Sequence, residues 1–199
     1  MGALLLERVY SGTPLSAVED DQAATEKFCN VFGRLHSCRL TGTFSSITEH
    51  FTGIDRYRSE CNVGVLPQQF VEHAKECLEF LISSTNENVL LHGDLHQNNI
   101  LRDREHQWSV IDPKGIVGDV HFDAIQYLLN YKDHGGAPNT VLERRINIIS
   151  NRLNLEPRRI ALWGLAKGVL DVCWVLEDDG TDWCNGIQIT ERFANYLVR

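Results

Sequence analysis

The chain has 199 residues, of which 43% are hydrophobic and 23% are charged, so it can bury one substantial core. Its 19 basic and 27 acidic residues give a formal net charge of -8, which argues against a nucleic-acid partner and suits a cationic small molecule better. No apolar run approaches the roughly 18 residues that span a bilayer, and the first residues lack signal-peptide flanks, which predicts a cytoplasmic protein with no membrane partner.

The first part of the chain predicts a short strand followed by an amphipathic helix. Residues 3–10 have strand character, and the Ser-Gly-Thr-Pro run at 11–14 is typical of a turn. Ser16 and Glu19 have the spacing of a capping box, which predicts that a helix begins there. The buried face of this helix is predicted to consist of Ala24, Phe28, Val31, Phe32 and Leu35.

The rest of the chain predicts an irregular connection, a group of short strands and a helical C-terminal part. Residues 40–65 show no clear periodicity, and Pro67 suits the first position of the helix that follows. This helix is predicted to bury Phe70, Ala74, Cys77, Leu78 and Leu81. Strands are predicted at 89–91, 99–101 and 108–111, and helices at about 120–132, 140–152, 157–178 and 187–198. The predicted fold class is α+β, mostly α.

Three polar residues lie beside the predicted strands. Asp94 follows the first strand, Asn99 comes five residues later, and Asp112 follows thirteen residues after that. Phosphoryl transfer requires such groups, because the protein must orient an acceptor hydroxyl and hold magnesium against the nucleotide phosphates. A carboxylate such as Asp94 can accept the hydroxyl proton, and the oxygens of Asn99 and Asp112 are ligands that Mg2+ prefers. These residue types therefore suit a phosphoryl-transfer site.

The same segment carries a family resemblance. Its spacing matches the protein-kinase pattern H-R-D-x-x-x-x-N followed by D-F-G. The runs H-G-D-L-H-Q-N-N-I-L at 92–101 and I-D-P-K-G at 111–115 resemble aminoglycoside phosphotransferases, and among them the streptomycin and hydroxyurea kinase branch. The opening A-L-L-L-E-R-V and the G-D-x-x-x-D-A element at 118–124 are similar to that branch as well. The resemblance implies a protein-kinase-like C-terminal lobe with a small β hairpin at the catalytic loop.

The resemblance also implies a function and a role for each motif residue. The expected activity is ATP- and Mg2+-dependent phosphorylation of a hydroxyl on a small molecule, such as an aminoglycoside antibiotic. Asp94 would be the catalytic base, and Asn99 and Asp112 would be the magnesium ligands. His92 and Asp123 would support the catalytic loop.

The nucleotide-binding elements of a kinase are not found in this sequence. No G-x-G-x-x-G or P-loop pattern is present, and Lys114 is the candidate for a phosphate contact. The expected organisation is a remnant of the interlobe hinge strand at 1–14 and a catalytic and substrate-binding lobe at 15–199, with the N-terminal lobe absent. Such a chain is expected to turn over ATP poorly, and to self-associate or to receive an N-terminal lobe from elsewhere.

Two other functions remain open from the sequence. A metal-dependent hydrolase is one, because His92, Asp94 and His96 alternate as three ligands on a strand would, with His121 available as a fourth. A non-catalytic binding module derived from a kinase is the other, because the nucleotide lobe is not found.

The six cysteines include no C-x-x-C pair, which predicts free thiols.

An acidic cluster near the C-terminus is the candidate substrate site. It is flanked by Trp174 and Trp183, and such a combination of carboxylates and aromatic rings suits the amino or guanidino groups of a sugar antibiotic. A solvated helix end is the alternative interpretation. The acidic residues of this cluster are Glu177, Asp178, Asp179 and Asp182.

Overall fold

The computed structural model describes residues 8–37, 42–57, 65–129 and 137–198. Within these ranges the chain is mostly helical and contains two small sheets. The strands are β1 (Ser11–Pro14), β2 (Ser45–Ser46), β3 (Val89–Leu91), β4 (Ile100–Asp103), β5 (Trp108–Val110) and β6 (Ile116–Gly118). The helices are α1 (Asp21–Leu35), α2 (Ile47–His50), α3 (Thr52–Arg56), α4 (Gln68–Ser83), α5 (Ile125–Leu129), α6 (Pro138–Leu153), α7 (Pro157–Glu177) and α8 (Cys184–Leu197).

Each sheet has three strands. In one, β4 lies between β1 and β5 and pairs antiparallel with both, so that Leu101 faces Pro14 on one side and Ser109 on the other. In the second, β6 lies between β2 and β3, with β2 parallel and β3 antiparallel to it. The chain crosses from the second sheet to the first between β3 and β4, and returns between β5 and β6.

Helix α7 is the centre of the helical part. Because it is apolar nearly all round, it is buried along most of its length. Helix α8 packs closely against it at two glycines. A Cβ at Gly164 would overlap the ring of Phe193, and one at Gly168 would lie 2.5 Å from Thr190 Oγ1. Among the described residues, no helix is long and apolar enough to cross a membrane.

Most predicted helices are confirmed, but three local predictions are wrong. Helix α1 begins after Asp20, whose carboxylate accepts the Ala23 N–H, and Ser16 lies in a preceding 3₁₀ turn. The predicted turn at 11–14 is strand β1, because this segment finds hydrogen-bonding partners on β4. Residues 8–10 of the predicted strand 3–10 are not in a strand, and 1–7 lie outside the described residues.

The remaining predictions differ from the structure in detail. The predicted helix at 120–132 is a 3₁₀ turn, Val120–Ala124, followed by the short α5. Strand β6 was not predicted, because three residues that end in a glycine carry too little strand signal. Four of the six cysteines are described as free thiols, and Cys38 and Cys61 lie outside the described residues.

Candidate functional site

The candidate site is formed by two adjacent loops, each of which connects a strand of one sheet to a strand of the other. The first, 92–99, connects β3 to β4, and the second, 111–115, connects β5 to β6. The Lys114 backbone N–H donates to the His92 carbonyl at 2.7 Å, which holds the loops together. Gly93 has φ +79°, and a Cβ there would lie 3.2 Å from side-chain atoms of Lys114 and Ile116, so this close approach requires glycine.

The three predicted site residues are brought together by these loops. The Asn99 side-chain amide donates to the Asp94 carbonyl at 2.9 Å, which leaves the amide oxygen of Asn99 for another partner. Lys114 Nζ lies 2.8 Å from Asp112 Oδ2 and 3.6 Å from Asp94 Oδ2. One ammonium group therefore lies between the two carboxylates. Its hydrogen bond lowers the pKa of Asp112, and the same bond raises the pKa of Lys114.

Asp112 has an unusual backbone. Its φ is +58°, in the left-handed region that aspartate and asparagine tolerate better than most residues. Its side chain is 66% exposed, whereas the side chain of Asp94 is 25% exposed. The carboxylate of Asp112 is therefore accessible from solvent, and the local conformation is one that only a restricted set of residues adopts.

His92 joins the two loops from within. Its Nδ1 accepts the Asp94 N–H at 3.3 Å, and its Nε2 lies 2.9 Å from the Ile111 carbonyl, so the neutral ring carries its proton on Nε2. Burial lowers the pKa of His92, although the nearby carboxylate of Asp123 opposes this shift. The ring is thus a fixed spacer between the backbone of Asp94 and the residue that precedes Asp112.

Asp123 holds the start of the first loop. Its carboxylate is 1% exposed and accepts the backbone N–H groups of His92 at 2.8 Å and Gly93 at 2.7 Å. His36 Nε2 lies 3.1 Å from the same carboxylate. A residue of the 3₁₀ turn therefore fixes the backbone of the two residues that precede Asp94. This residue is the second aspartate of the G-D-x-x-x-D-A element.

A second buried carboxylate, Asp119, supports the same 3₁₀ turn. It accepts hydrogen bonds from His121, from Arg159 Nε at 2.5 Å and from Trp163 Nε1 at 2.7 Å. Burial alone would raise the pKa of Asp119, but the hydrogen bonds from His121 and Trp163 hold it well below its usual range. Arg159 also donates to Leu81, Ser84 and Thr85 at the end of α4.

The first loop is tied to the helices through one backbone carbonyl. The Tyr127 carbonyl accepts from Gln97 Nε2 at 3.1 Å and from Arg145 Nη1 at 3.0 Å. Arg145 is 2% exposed and also donates to the buried carboxylate of Asp21. Burial would raise the pKa of Asp21, but hydrogen bonds from Arg145 and Arg144 lower it. These contacts gave no sequence signal, because their partners are up to 124 residues apart.

The acidic cluster is divided by the structure. Glu177 forms a bidentate ion pair with Arg56, at 3.0 Å for both bonds. Asp178 and Asp182 line a cleft of about 360 Å³, and Asp171 lines it as well. Trp174 and Trp183 also line this cleft, and Asp179 is exposed with φ +54°. Asp171 was not predicted, and it forms an ion pair with the buried Lys167.

The three-ligand interpretation of His92, Asp94 and His96 is not supported. Both ring nitrogens of His92 bond to backbone groups, and His121 lies against Asp119. Among the described residues, no three His, Cys, Asp or Glu side chains are placed to hold a metal ion. The alternation of residue types along the loop therefore does not produce a zinc-type site.

Comparison with known proteins identifies the family. The family described as aminoglycoside/hydroxyurea antibiotic resistance kinase matches residues 1–180. The chain belongs to this family. It is 29% identical over 188 residues to streptomycin 3''-kinase of Klebsiella pneumoniae, covering 89% of this chain and 68% of that one. It is 28% identical over 181 residues to streptomycin 6-kinase of Streptomyces griseus, covering 88% of this chain and 59% of the relative.

This family member spans about three fifths to two thirds of the length of those two kinases. Its fold is also found in a solved structure, a thermostable mutant of the aminoglycoside phosphotransferase APH(4)-Ia in complex with ADP and hygromycin B. That structure superposes with a TM-score of 0.66 at 16% identity and covers 96% of this chain and 70% of the other. The predicted fold class, α+β with a protein-kinase-like lobe, is confirmed.

Proposed function

We propose that the chain is the catalytic lobe of an ATP- and Mg2+-dependent kinase that phosphorylates a hydroxyl of a cationic, aminoglycoside-type antibiotic. One observation carries the proposal. The two adjacent loops place the carboxylates of Asp94 and Asp112 on either side of one ammonium group, with the Asn99 amide bonded to the Asp94 backbone. This is the set of groups that phosphoryl transfer requires, with the Asp112 carboxylate exposed to solvent.

Asp94 is the proposed base. Its carboxylate orients the acceptor hydroxyl and accepts its proton as the hydroxyl oxygen bonds to the γ-phosphorus of ATP and the bond to ADP breaks. The backbone around it is held by the Asp94 N–H, which donates to His92, by the Asn99 amide, which donates to the Asp94 carbonyl, and by the two hydrogen bonds that Asp123 accepts. Such a rigid setting suits a group that acts by position more than by basicity.

Asn99 and Asp112 are the proposed magnesium ligands. The Asn99 amide nitrogen is already bonded, so its oxygen is the atom that remains for a cation, and the Asp112 carboxylate is exposed. Both offer the hard oxygen donors that Mg2+ prefers, and few protein ligands suffice because phosphates and water complete its shell. When bound, the ion neutralises the phosphate oxygens. Lys114 would then be free to contact a phosphate.

The acceptor is proposed to be cationic. The cleft between α7 and α8 presents Asp178 and Asp182 beside two tryptophan rings, which suits guanidino and amino groups. Streptomycin carries such groups and hydroxyurea does not, so streptomycin-type acceptors are favoured within this family. Glu177 and Asp171 are left out of the proposed site, because Arg56 and Lys167 already pair with them.

The nucleotide phosphates are proposed to be covered by a lobe outside these 199 residues. The chain would provide a base, two oxygen ligands and a lysine, and its sequence has neither a G-x-G-x-x-G nor a P-loop pattern. Residues 15–199 would be the catalytic lobe and 1–14 its connection to the other lobe. The chain by itself is predicted to bind ATP weakly and to self-associate, which calorimetry and analytical ultracentrifugation would test.

The decisive experiment measures phosphorylation of streptomycin by the chain, and by the chain fused behind the N-terminal lobe of the Klebsiella kinase. We expect Mg2+-dependent transfer in the fused form, and a loss of at least a hundredfold in kcat in Asp94→Asn with little change in KM. Asp103→Asn, at the last residue of β4, is the matched control and should retain activity. An active Asp94→Asn enzyme would remove Asp94 from the mechanism.

A further inference from the structure

His96 begins the 3₁₀ turn that carries Asn99. Its Nδ1 accepts the backbone N–H of Asn98 at 3.1 Å, which caps the turn Gln97–Asn99. Short side chains such as asparagine, aspartate and serine usually make this kind of cap and lose less side-chain freedom in doing so. A histidine at the capping position also carries a second ring nitrogen, Nε2, which the cap does not use.

The second nitrogen of His96 faces the proposed base. Its Nε2 lies 3.8 Å from Asp94 Oδ1, and both side chains are 25% exposed. Because Nδ1 accepts a hydrogen bond, the neutral ring carries its proton on Nε2 and presents an N–H group to the carboxylate. At 3.8 Å the contact is electrostatic and longer than a hydrogen bond, and a shift of about 1 Å would close it.

The two oxygens of Asp94 therefore have different neighbours. Oδ1 faces the ring of His96, whereas Oδ2 faces Lys114, which is bonded more closely to Asp112. The ring cannot turn away without losing its cap, and the His96 backbone N–H also donates to the Asp94 carbonyl at 2.9 Å. The geometry fixes an N–H group beside one particular oxygen of the base.

We infer that His96 is a positioning residue for Asp94. Its Nε2–H holds Oδ1, so that the carboxylate keeps one rotamer and presents Oδ2 to the acceptor hydroxyl. This inference rests on the proposed function, because it assigns His96 a part in positioning the proposed base. It distinguishes His96 from His92, whose two nitrogens are both bonded to the backbone.

The contact itself can be tested without any activity. Long-range proton–nitrogen NMR spectra of the labelled 199-residue chain, recorded at about pH 8 where most histidines are neutral, report the tautomer of each ring. The His96 signals are assigned by their loss in His96→Asn. We expect protonated Nε2 and unprotonated Nδ1, and an Nε2 resonance that moves in Asp94→Asn while Nδ1 stays. The opposite tautomer, or no response to Asp94→Asn, would overturn the inference.

The positioning role is tested by two variants in the active, fused enzyme. His96→Asn keeps an acceptor at the capping distance but lacks the Nε2–H, and should lower kcat by about tenfold to a hundredfold at nearly constant KM. His96→Gln restores a donor at the Nε2 distance and should recover most of the loss. His73→Asn, at an exposed histidine on α4, is the control. Retained activity in His96→Asn with a loss in His96→Gln would show a cap alone and overturn the inference, and so would equal losses in the two variants.

These measurements separate the two proposals. If the unmodified fused enzyme transfers no phosphoryl group, the proposed function fails, and the NMR spectra still decide whether His96 contacts Asp94. If the enzyme is active and His96→Asn retains kcat within about twofold, only the role of His96 is refuted.

Discussion

Replacing Asp119 by asparagine should destabilise the protein strongly. The carboxylate is 4% exposed and accepts from His121, Arg159 and Trp163, whereas an asparagine would turn an NH2 group toward some of these donors. Breaking a buried ion pair on one side costs about 3–5 kcal/mol. Arg159 keeps its three bonds to the end of α4, which places the expected loss near the lower limit, at about 3 kcal/mol.

Urea unfolding monitored by circular dichroism measures this loss. For a chain of this size, 3 kcal/mol corresponds to a fall of about 6–12 °C in Tm. The matched control is Asp55→Asn, because Asp55 also has an ion-pair partner, Lys75 at 3.2 Å, but its side chain is 74% exposed. A surface pair of this kind is worth less than about 1 kcal/mol. If the two variants lose the same stability, the buried network around Asp119 does not support the fold as argued.

Three further predictions follow from the same structure. Because the pKa of Asp119 is lowered on folding, its contribution to stability is present in full above about pH 4 and is lost progressively as the pH falls from there through the lowered pKa of the folded state, so unfolding curves of wild type and Asp119→Asn should converge in strong acid. Asp112→Asn suits the left-handed backbone and should raise the Mg2+ concentration for half-maximal activity several-fold; an unchanged titration contradicts its role as ligand. Gly164→Ala should cost about 1–3 kcal/mol in urea titrations through overlap with Phe193, whereas Gly33→Ala, on the exposed side of α1, should stabilise slightly; the reverse order would contradict the close packing of α7 and α8.

The sequence predicted those parts of the fold that local patterns determine. Phe28 and Phe32 on α1, and Ala74 and Leu81 on α4, are buried as their helical spacing indicates. The start of α1 was predicted wrongly, because Ser16 and Asp20 both offer a capping side chain and only the structure shows which one is used.

The predicted site residues lie together because the spacing of Asp94, Asn99 and Asp112 reflects two loops that cross between sheets. Their supports could not be predicted. Arg159 reaches Asp119 from 40 residues away, and nothing in its local sequence distinguishes it from a surface arginine. Such pairings depend on how the helices pack, which periodicity does not encode.

The hydrogen bonds to the Tyr127 carbonyl determine when, during synthesis, the active-site loop gains its full support. Gln97 in the first loop and Arg145 on α6 bond to the same oxygen, and Arg145 in turn pairs with Asp21 at the start of α1. During synthesis, Asp21 and the active-site loop emerge from the ribosome before Arg145, which pairs with Asp21 and shares the Tyr127 carbonyl with Gln97. The loop would therefore gain its full support only after residue 145 has emerged, and a nascent chain that ends earlier would leave Asp21 without either arginine.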